Sequence, residues 1–292
     1  MMNRNAALAL LAGQGYDAEE MRLIETAAQR MPWAELAPMI EGLQKPSEAE
    51  AAKNAAYELL GELDRETNGV AGMCVFAAAM ASNARRLQAA GIPEAVLAHT
   101  YSCLRVMSAT YRREFGRFGF DRGFWIWRQS SGTIFRLGAL EYEYLPELSE
   151  SAAQKTGLAA GKPVLTIHIP TGTDLSRAAL DASHAQAHAF YQEGSAACLG
   201  GGAPQAIMCD SWLLSPTLYS LLGECSGIRR FADDFRLCSS EDKSEGHRHF
   251  LFLAGKDTPV ADFPEDTSLR RAVKAHLLAG GGIGSGMGVL KK

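Results

Sequence analysis

Basic residues do not outnumber acidic ones in this 292-residue chain, no two of its six cysteines stand in a Cys-x-x-Cys pair, and no apolar run is long enough to cross a bilayer. Each absence excludes a class. With 29 Lys and Arg against 33 Asp and Glu, a net charge of -4 and a pI near 6.0, there is no basic field to hold a phosphate backbone or an anionic membrane surface. Cysteines at 74, 103, 198, 209, 225 and 238 fit neither a zinc ribbon nor a secreted disulfide framework, which predicts reduced thiols in a cytoplasmic protein. The apolar run Val70 to Ala81 stops at Ser82, Asn83, Arg85 and Arg86, and the first residues lack the order of a signal peptide. No membrane partner and no nucleic acid are expected.

What is present is ordinary globular composition, 47% hydrophobic and 21% charged, at a length that suits two domains. Asp17 to Phe118 has apolar residues at helical spacing, such as Ala56, Leu59, Leu60 and Leu63, and predicts a helical bundle over residues 1–119. Ser47-Glu-Ala-Glu50 has capping-box spacing, Gly91 suits a helix stop and Pro93 a first turn. At Gly119 the texture changes. Residues 123–129 and 133–144 predict two strands joined at Ser130-Ser-Gly132. Strands follow at 164–169, 206–211, 235–239 and 247–253, with helices at 174–193, 215–222 and 268–278, so residues 120–292 predict a mixed sheet flanked by helices. The glycine-rich stretch 280–288 is a flexible turn or a final strand packed close to another backbone.

Chemistry concentrates at the strand–helix junction Val164 to Ser176. Unpaired amides at a helix start, together with the helix dipole, form an anion site, and Gly172 lets backbone approach a ligand, although Asp174 as an N-cap would compete for the same amides. His168 ends the strand just before this turn, where a general base is useful, or is a structural strand histidine. Glu141 and Glu143 share one strand face, which faces solvent or lines a cleft. Cys209 with His168 is an alternative nucleophile and base, without the local signature of a cysteine hydrolase. Asp181, His184 and His188 have helical metal-ligand spacing, but no Glu follows His184, and no metal is expected. Arginines interleaved with aromatics at 110–122 read as a domain junction in which they sit on solvent or pair with Glu114 and Asp121.

Trp125, Arg136-Leu-Gly-Ala-Leu-Glu-Tyr-Glu143, His168-Ile-Pro-Thr-Gly172, Ser183 with Ala187, Phe190 and Tyr191, Ser211-Trp-Leu-Leu-Ser-Pro216 and Asp266-Thr-Ser-Leu-Arg-Arg271 resemble bacterial N-acyltransferase-like proteins over most of the chain. The resemblance implies a helical N-terminal domain (1–119) and a GNAT-like α/β domain (120–292). It also implies acyl-CoA or acetyl-CoA as co-substrate and a small-molecule amine or peptide as acceptor. By order of elements, Ile169, Pro170, Thr171, Gly172, Thr173, Leu175 and Ser176 stand where the family's pyrophosphate loop would be, and Tyr219 where it often places an acid. This loop departs from the family's Gln/Arg-x-x-Gly-x-Gly/Ala pattern: it has one glycine, no Arg or Gln at its head, and Asp174. The alternative is therefore an inactive GNAT-like module that binds a ligand or a partner.

Overall fold

A computed structural model describes residues 2–192, 202–255 and 257–291. Cys198 and the end of the helix expected at 174–193 lie outside the described residues. The chain divides into two compact units, one up to Arg136 and one from Leu137.

The first unit is helical: α1 (Met2–Ala12), α2 (Ala18–Arg30), α3 (Trp33–Gly42), α4 (Ala49–Glu66), α5 (Val70–Ala89), α6 (Glu94–Tyr101), α7 (Cys103–Phe115) and α8 (Gly123–Ser131). Every residue from Val70 to Met80 is buried, so α5 is the axis of this unit, with α1, α4 and α8 packed on it. A helix apolar on all sides has no other stable place. Its first amides are taken by the end of α4: Asp64 accepts from Gly72 N at 2.7 Å and Thr67 from Ala71 N at 3.2 Å. The capping box expected at Ser47 is not formed, since α4 starts after Glu48 without a side-chain cap. One does form at α2, between Asp17 and Glu20. Glu20 is fully buried, and its charge is met by Arg105 at 3.0 Å and Arg112 at 3.2 Å. Arg122 pairs with Asp121 at 2.6 Å and Glu114 at 3.6 Å, one of the two arrangements expected at 110–122.

The strand expected at 123–129 is helix α8 instead. Ile126, Gln129 and Ser130, among its buried residues, stand at spacings of three and four, and Gly132 in the left-handed region (φ 78°) ends it. Its aromatics, which suggested a strand, lie on the other side, where Trp125 and Trp127 each stand 4.5 Å from the Arg128 guanidinium.

The hairpin comes later, as β1 (Ile134–Leu137) and β2 (Leu140–Leu145), turning at Gly138. Then follow α9 (Glu150–Thr156), β3 (Val164–His168), α10 (Arg177–Gln192), β4 (Ile207–Ser211), α11 (Pro216–Leu221), α12 (Gly227–Asp233), β5 (Phe235–Glu241), α13 (Gly246–Phe250), α14 (Ser268–Leu278) and β6 (Ser285–Leu290). The mixed sheet has the order β1-β2-β3-β4-β6-β5. The second correction is α13, expected as a strand: Phe250 is exposed while Phe252 is buried, a pattern that strand alternation cannot produce. The glycine-rich tail is β6, inserted between β4 and β5; a Cβ on Gly286 would stand 2.4 Å from the Leu214 carbonyl oxygen.

Alternation gives this sheet two chemically different faces. Tyr142 and Tyr144 point to α10, which supplies Ser183, His184 and Tyr191. Leu145, Val164 and Met208 point the other way, to α9. Under α10 a chain of hydrogen bonds has one proton assignment that fills every contact. Ser183 Oγ donates to the Leu137 carbonyl and accepts from Leu140 N at 3.1 Å. The Tyr142 hydroxyl therefore donates to Ser183 at 3.1 Å, and His184 Nδ1–H donates to Tyr142 at 2.9 Å. This leaves the Nε2 lone pair of neutral His184 buried and unpartnered, with Asp234 at 3.8 Å, beyond hydrogen-bond reach. Burial lowers the His184 pKa below its usual 6.5 against the opposing pull of Asp234.

A histidine held neutral by the fold contributes stability that is complete above the unfolded pKa and lost as the pH falls below it. Unfolding free energy should accordingly decline below pH of about 6.5, by at most about 1.4 kcal/mol per pH unit for this group. Denaturant titrations between neutral and mildly acidic pH, repeated on His184→Asn, check this; a variant with an unchanged pH slope would remove His184 from the account.

Candidate active site

The site begins with an uneven pairing. β3 is matched to β2 along its whole length, from Glu141↔His168 to Leu145↔Val164, and β4 to β6 from Met208↔Val289 to Ser211↔Gly286. Between the parallel strands β3 and β4 only Leu165↔Ile207 and Thr166↔Met208 are in register. Beyond Thr166 and Met208 the strands part, and the sheet opens toward its carboxyl edge. In α/β sheets a crevice of this kind, outside the carboxyl ends of parallel strands, is where ligands are bound.

His168 lies at the lip of this opening on β3. Its Nε2 is 2.9 Å from Oε2 of Glu143 on the neighbouring strand, across one diagonal of the ladder, with both side chains largely screened from solvent. An ionised carboxylate can only accept, so neutral His168 carries its proton on Nε2 and its lone pair on Nδ1. Glu141, buried, stands directly opposite His168 in register and on the same face. The structure thus brings together three of the four expected catalytic residues. Tyr219 on α11 has other partners: its hydroxyl donates to Asp233 at 2.8 Å and its ring lies 4.5 Å from the Arg229 guanidinium.

The loop from Ile169 to Ser176 leaves this lip and feeds α10. Gly172 is in the left-handed region (φ 79°), and the Thr173 hydroxyl folds the turn by donating to the Pro170 carbonyl at 2.6 Å. Asp174 accepts from Ser176 N at 2.8 Å, so part of the expected competition for amides is real. However, α10 starts at Arg177, three residues later than its expected start, and the Ser176 hydroxyl takes the Ala179 amide at 3.4 Å. Among the described residues no hydrogen bond takes up the amides of Leu175, Arg177 or Ala178. Arg177 is fixed by a two-pronged pair with Asp234, at 2.5 and 2.9 Å, and by Asp181 at 2.8 Å.

On the α10 face of the sheet, beside the paired ends of β3 and β4, lies a cavity of about 820 Å³. Leu165, Ala187, Tyr191, Ile207 and Leu290 form most of its apolar wall, with His188 and Gln205 among its polar groups. Sequence reasoning missed this chamber because its walls come from segments far apart in the chain. The other chemistries weighed from sequence disperse. Cys209 is fully buried and its thiol pKa is driven far up by burial, which removes the thiolate a nucleophile needs. Asp181 pairs with Arg177, His184 with Tyr142, and His188 turns to the chamber.

Against known proteins, residues 2–132 match the N-acyltransferase N-terminal domain and residues 134–290 the GNAT-like C-terminal domain. No curated protein is matched. The fold is similar to that of an acyltransferase solved with decanoyl-CoA, at 24% identity and a TM-score of 0.76, covering 97% of this chain and 86% of that one. A mutant acyltransferase solved with octanoyl-CoA is similar at 24% identity and a TM-score of 0.78, covering 98% and 87%. An acyltransferase solved with decanoyl-CoA and teicoplanin is similar at 22% and 0.67, covering 98% and 99%. With the two domain matches accounting for nearly all of its residues, the chain belongs to the family that joins an N-acyltransferase N-terminal domain to a GNAT-like C-terminal domain.

Proposed function

We propose that the protein is an N-acyltransferase that moves an acyl group from an acyl-CoA to an amine acceptor, a small molecule or a peptide. The observation that carries this reading is the His168–Glu143 pair at the point where β3 and β4 part. The opening receives the thioester. The amides at the head of α10 and the loop Ile169 to Ser176 receive the pyrophosphate, with Asp174 turned to Ser176. His168 takes a proton from the acceptor nitrogen, and Glu143 fixes its ring and stabilises the imidazolium that forms. As the nitrogen adds to the thioester carbon the C–N bond forms and the C–S bond breaks. For an acceptor that arrives as an ammonium ion, one proton ends on His168 and the second leaves on the thiol of coenzyme A. Tyr219, whose proton is given to Asp233, would act as the acid only by breaking that bond.

His168→Gln should lower kcat by about 10²–10⁴-fold, the usual worth of a general base, with coenzyme A affinity unchanged. Glu143→Gln should give a smaller loss of the same kind. Turnover by release of free thiol from acyl-CoA, and affinity by calorimetry, separate the two effects. Binding of coenzyme A without acyl transfer to any amine would instead favour the non-catalytic binding module.

The acyl chain, on this reading, is longer than acetyl. The relatives of similar fold were solved with octanoyl-CoA and decanoyl-CoA, and the 820 Å³ chamber has a largely apolar wall. Affinity should rise along the series acetyl-, butyryl-, octanoyl-CoA, by up to about 0.8 kcal/mol for each methylene buried. Equal affinity for the acetyl and octanoyl thioesters would return the acyl group to the short class.

A further inference from the structure

The strands β3 and β4 leave their last shared pair, Thr166↔Met208, symmetrically. Two residues further on, and therefore on the same face, come His168 on one strand and Asp210 on the other. Each is a lip of the opening. Asp210 is registered with Met287 of β6 on its far side, which fixes its place on this face.

The Asp210 carboxylate stands exposed at this lip and makes no hydrogen bond and no salt bridge among the described residues. The other charged groups of this face are engaged. Glu143 holds His168 at 2.9 Å, Glu241 holds Lys155 at 3.3 Å, and Arg236 donates to the Thr156 carbonyl at 3.3 Å. The surrounding protein raises the Asp210 pKa although the side chain reaches solvent, Glu241 raises it further and Lys155 opposes both. A carboxylate beside a second acid is stabilised by a cation brought next to it. With Glu141 and Glu143 across the opening, the face favours positive charge, and the nucleophile of the proposed reaction is a nitrogen that carries positive charge before it reacts.

We infer that Asp210 holds the acceptor as an ammonium ion across the opening from His168, so that the substrate class is a primary amine protonated at neutral pH. This rests on the acyltransferase reading given above. Asp210 is a binding and specificity residue: it brings the cation to the lip, and His168 removes the proton that makes the nitrogen nucleophilic. An uncharged nucleophile gains nothing from it.

The test uses the full chain and octanoyl-CoA with two kinds of acceptor at pH 7.5: the cationic amines ethanolamine, cadaverine and hexylamine, and uncharged hydroxylamine, whose acylation gives a hydroxamate. Asp210→Asn should raise KM for whichever cationic amine is accepted by about tenfold, the equivalent of about 1.4 kcal/mol. Its kcat, its hydroxamate formation and its coenzyme A affinity should stay within about threefold of the unmodified protein. Asp210→Glu should restore most of the lost KM. Equal loss with both kinds of acceptor, or no loss with either, overturns the role of Asp210 and leaves the acyltransferase reading in place. Acyl transfer to hydroxylamine but to none of the ammonium probes overturns the substrate class. Transfer to no acceptor at all from the unmodified protein removes the acyltransferase reading and this inference with it.

Discussion

The second unit depends on one incomplete ladder. β3 and β4 are each saturated on their outer side, by β2 and β6, yet share only two residue pairs with each other. A strand pair that closed fully would satisfy more backbone groups and leave no opening. The strands are instead held apart by what each is bound to: β3 runs straight into the Pro170–Gly172 turn, and β4 runs into a short 3-10 helix at Trp212–Leu214 whose carbonyl at Leu214 presses on Gly286 of β6. The glycine at 286 lets that segment sit so close, and a side chain there would have to push it away.

The helix that leaves the opening is fixed with matching care. Arg177, in the first turn of α10, grips Asp234, and nearly two turns deeper Ser183 ties the helix to both ends of the β1–β2 turn, at Leu137 and Leu140. The position of the loop Ile169 to Ser176 is thus set from the helix as much as from the strand. Asp174 then removes one amide, that of Ser176, from any ligand, while the amides at Leu175, Arg177 and Ala178 keep the polarity of a helix start. A single glycine is sufficient here because only Gly172 takes a left-handed backbone. A loop of this build replaces glycine freedom by side-chain hydrogen bonds from Thr173 and Asp174.

Much of this was legible in the chain. Val164 to His168 reads as a strand from its β-branched run, Ser268 to Leu278 as a helix from its cap and period, and the shared face of Glu141 and Glu143 from alternation alone. Two local readings failed for the same reason. Residues 123–129 and 247–253 are aromatic and apolar enough for strands, but tertiary packing buries Ile126 and Gln129 on one side of a helix and leaves Phe250 in solvent. The meeting of His168 with Glu143 was half legible: each was singled out, but their 2.9 Å contact depends on register, which no local pattern states. Asp210 and the chamber were not legible, since the first acquires meaning only from the parting of two strands and the second only from side chains gathered from Leu165 to Leu290.

Parity decides how the site divides its work. Leu165 and Ile207, which wall the chamber, point to α10, whereas His168, Glu143 and Asp210 point to the opposite face. On the acyltransferase reading the apolar chain and the cationic acceptor are therefore kept on opposite sides of one sheet, and meet only where the thioester carbon lies between the strands. A slip of one residue in the β2–β3 register would turn His168 toward α10 and Ile167 toward the acids, exchanging the two environments. The register is guarded by contacts at the start of the pair: the Gly138 turn against Ser183, and the hydrogen bond from Leu140 N to that same serine. On the acyltransferase reading the buried Ser183–Tyr142–His184 chain, which among the described residues hydrogen-bonds to neither the proposed acid–base pair nor the loop, bears on the site through geometry, by fixing which face of β2 meets which side of the opening.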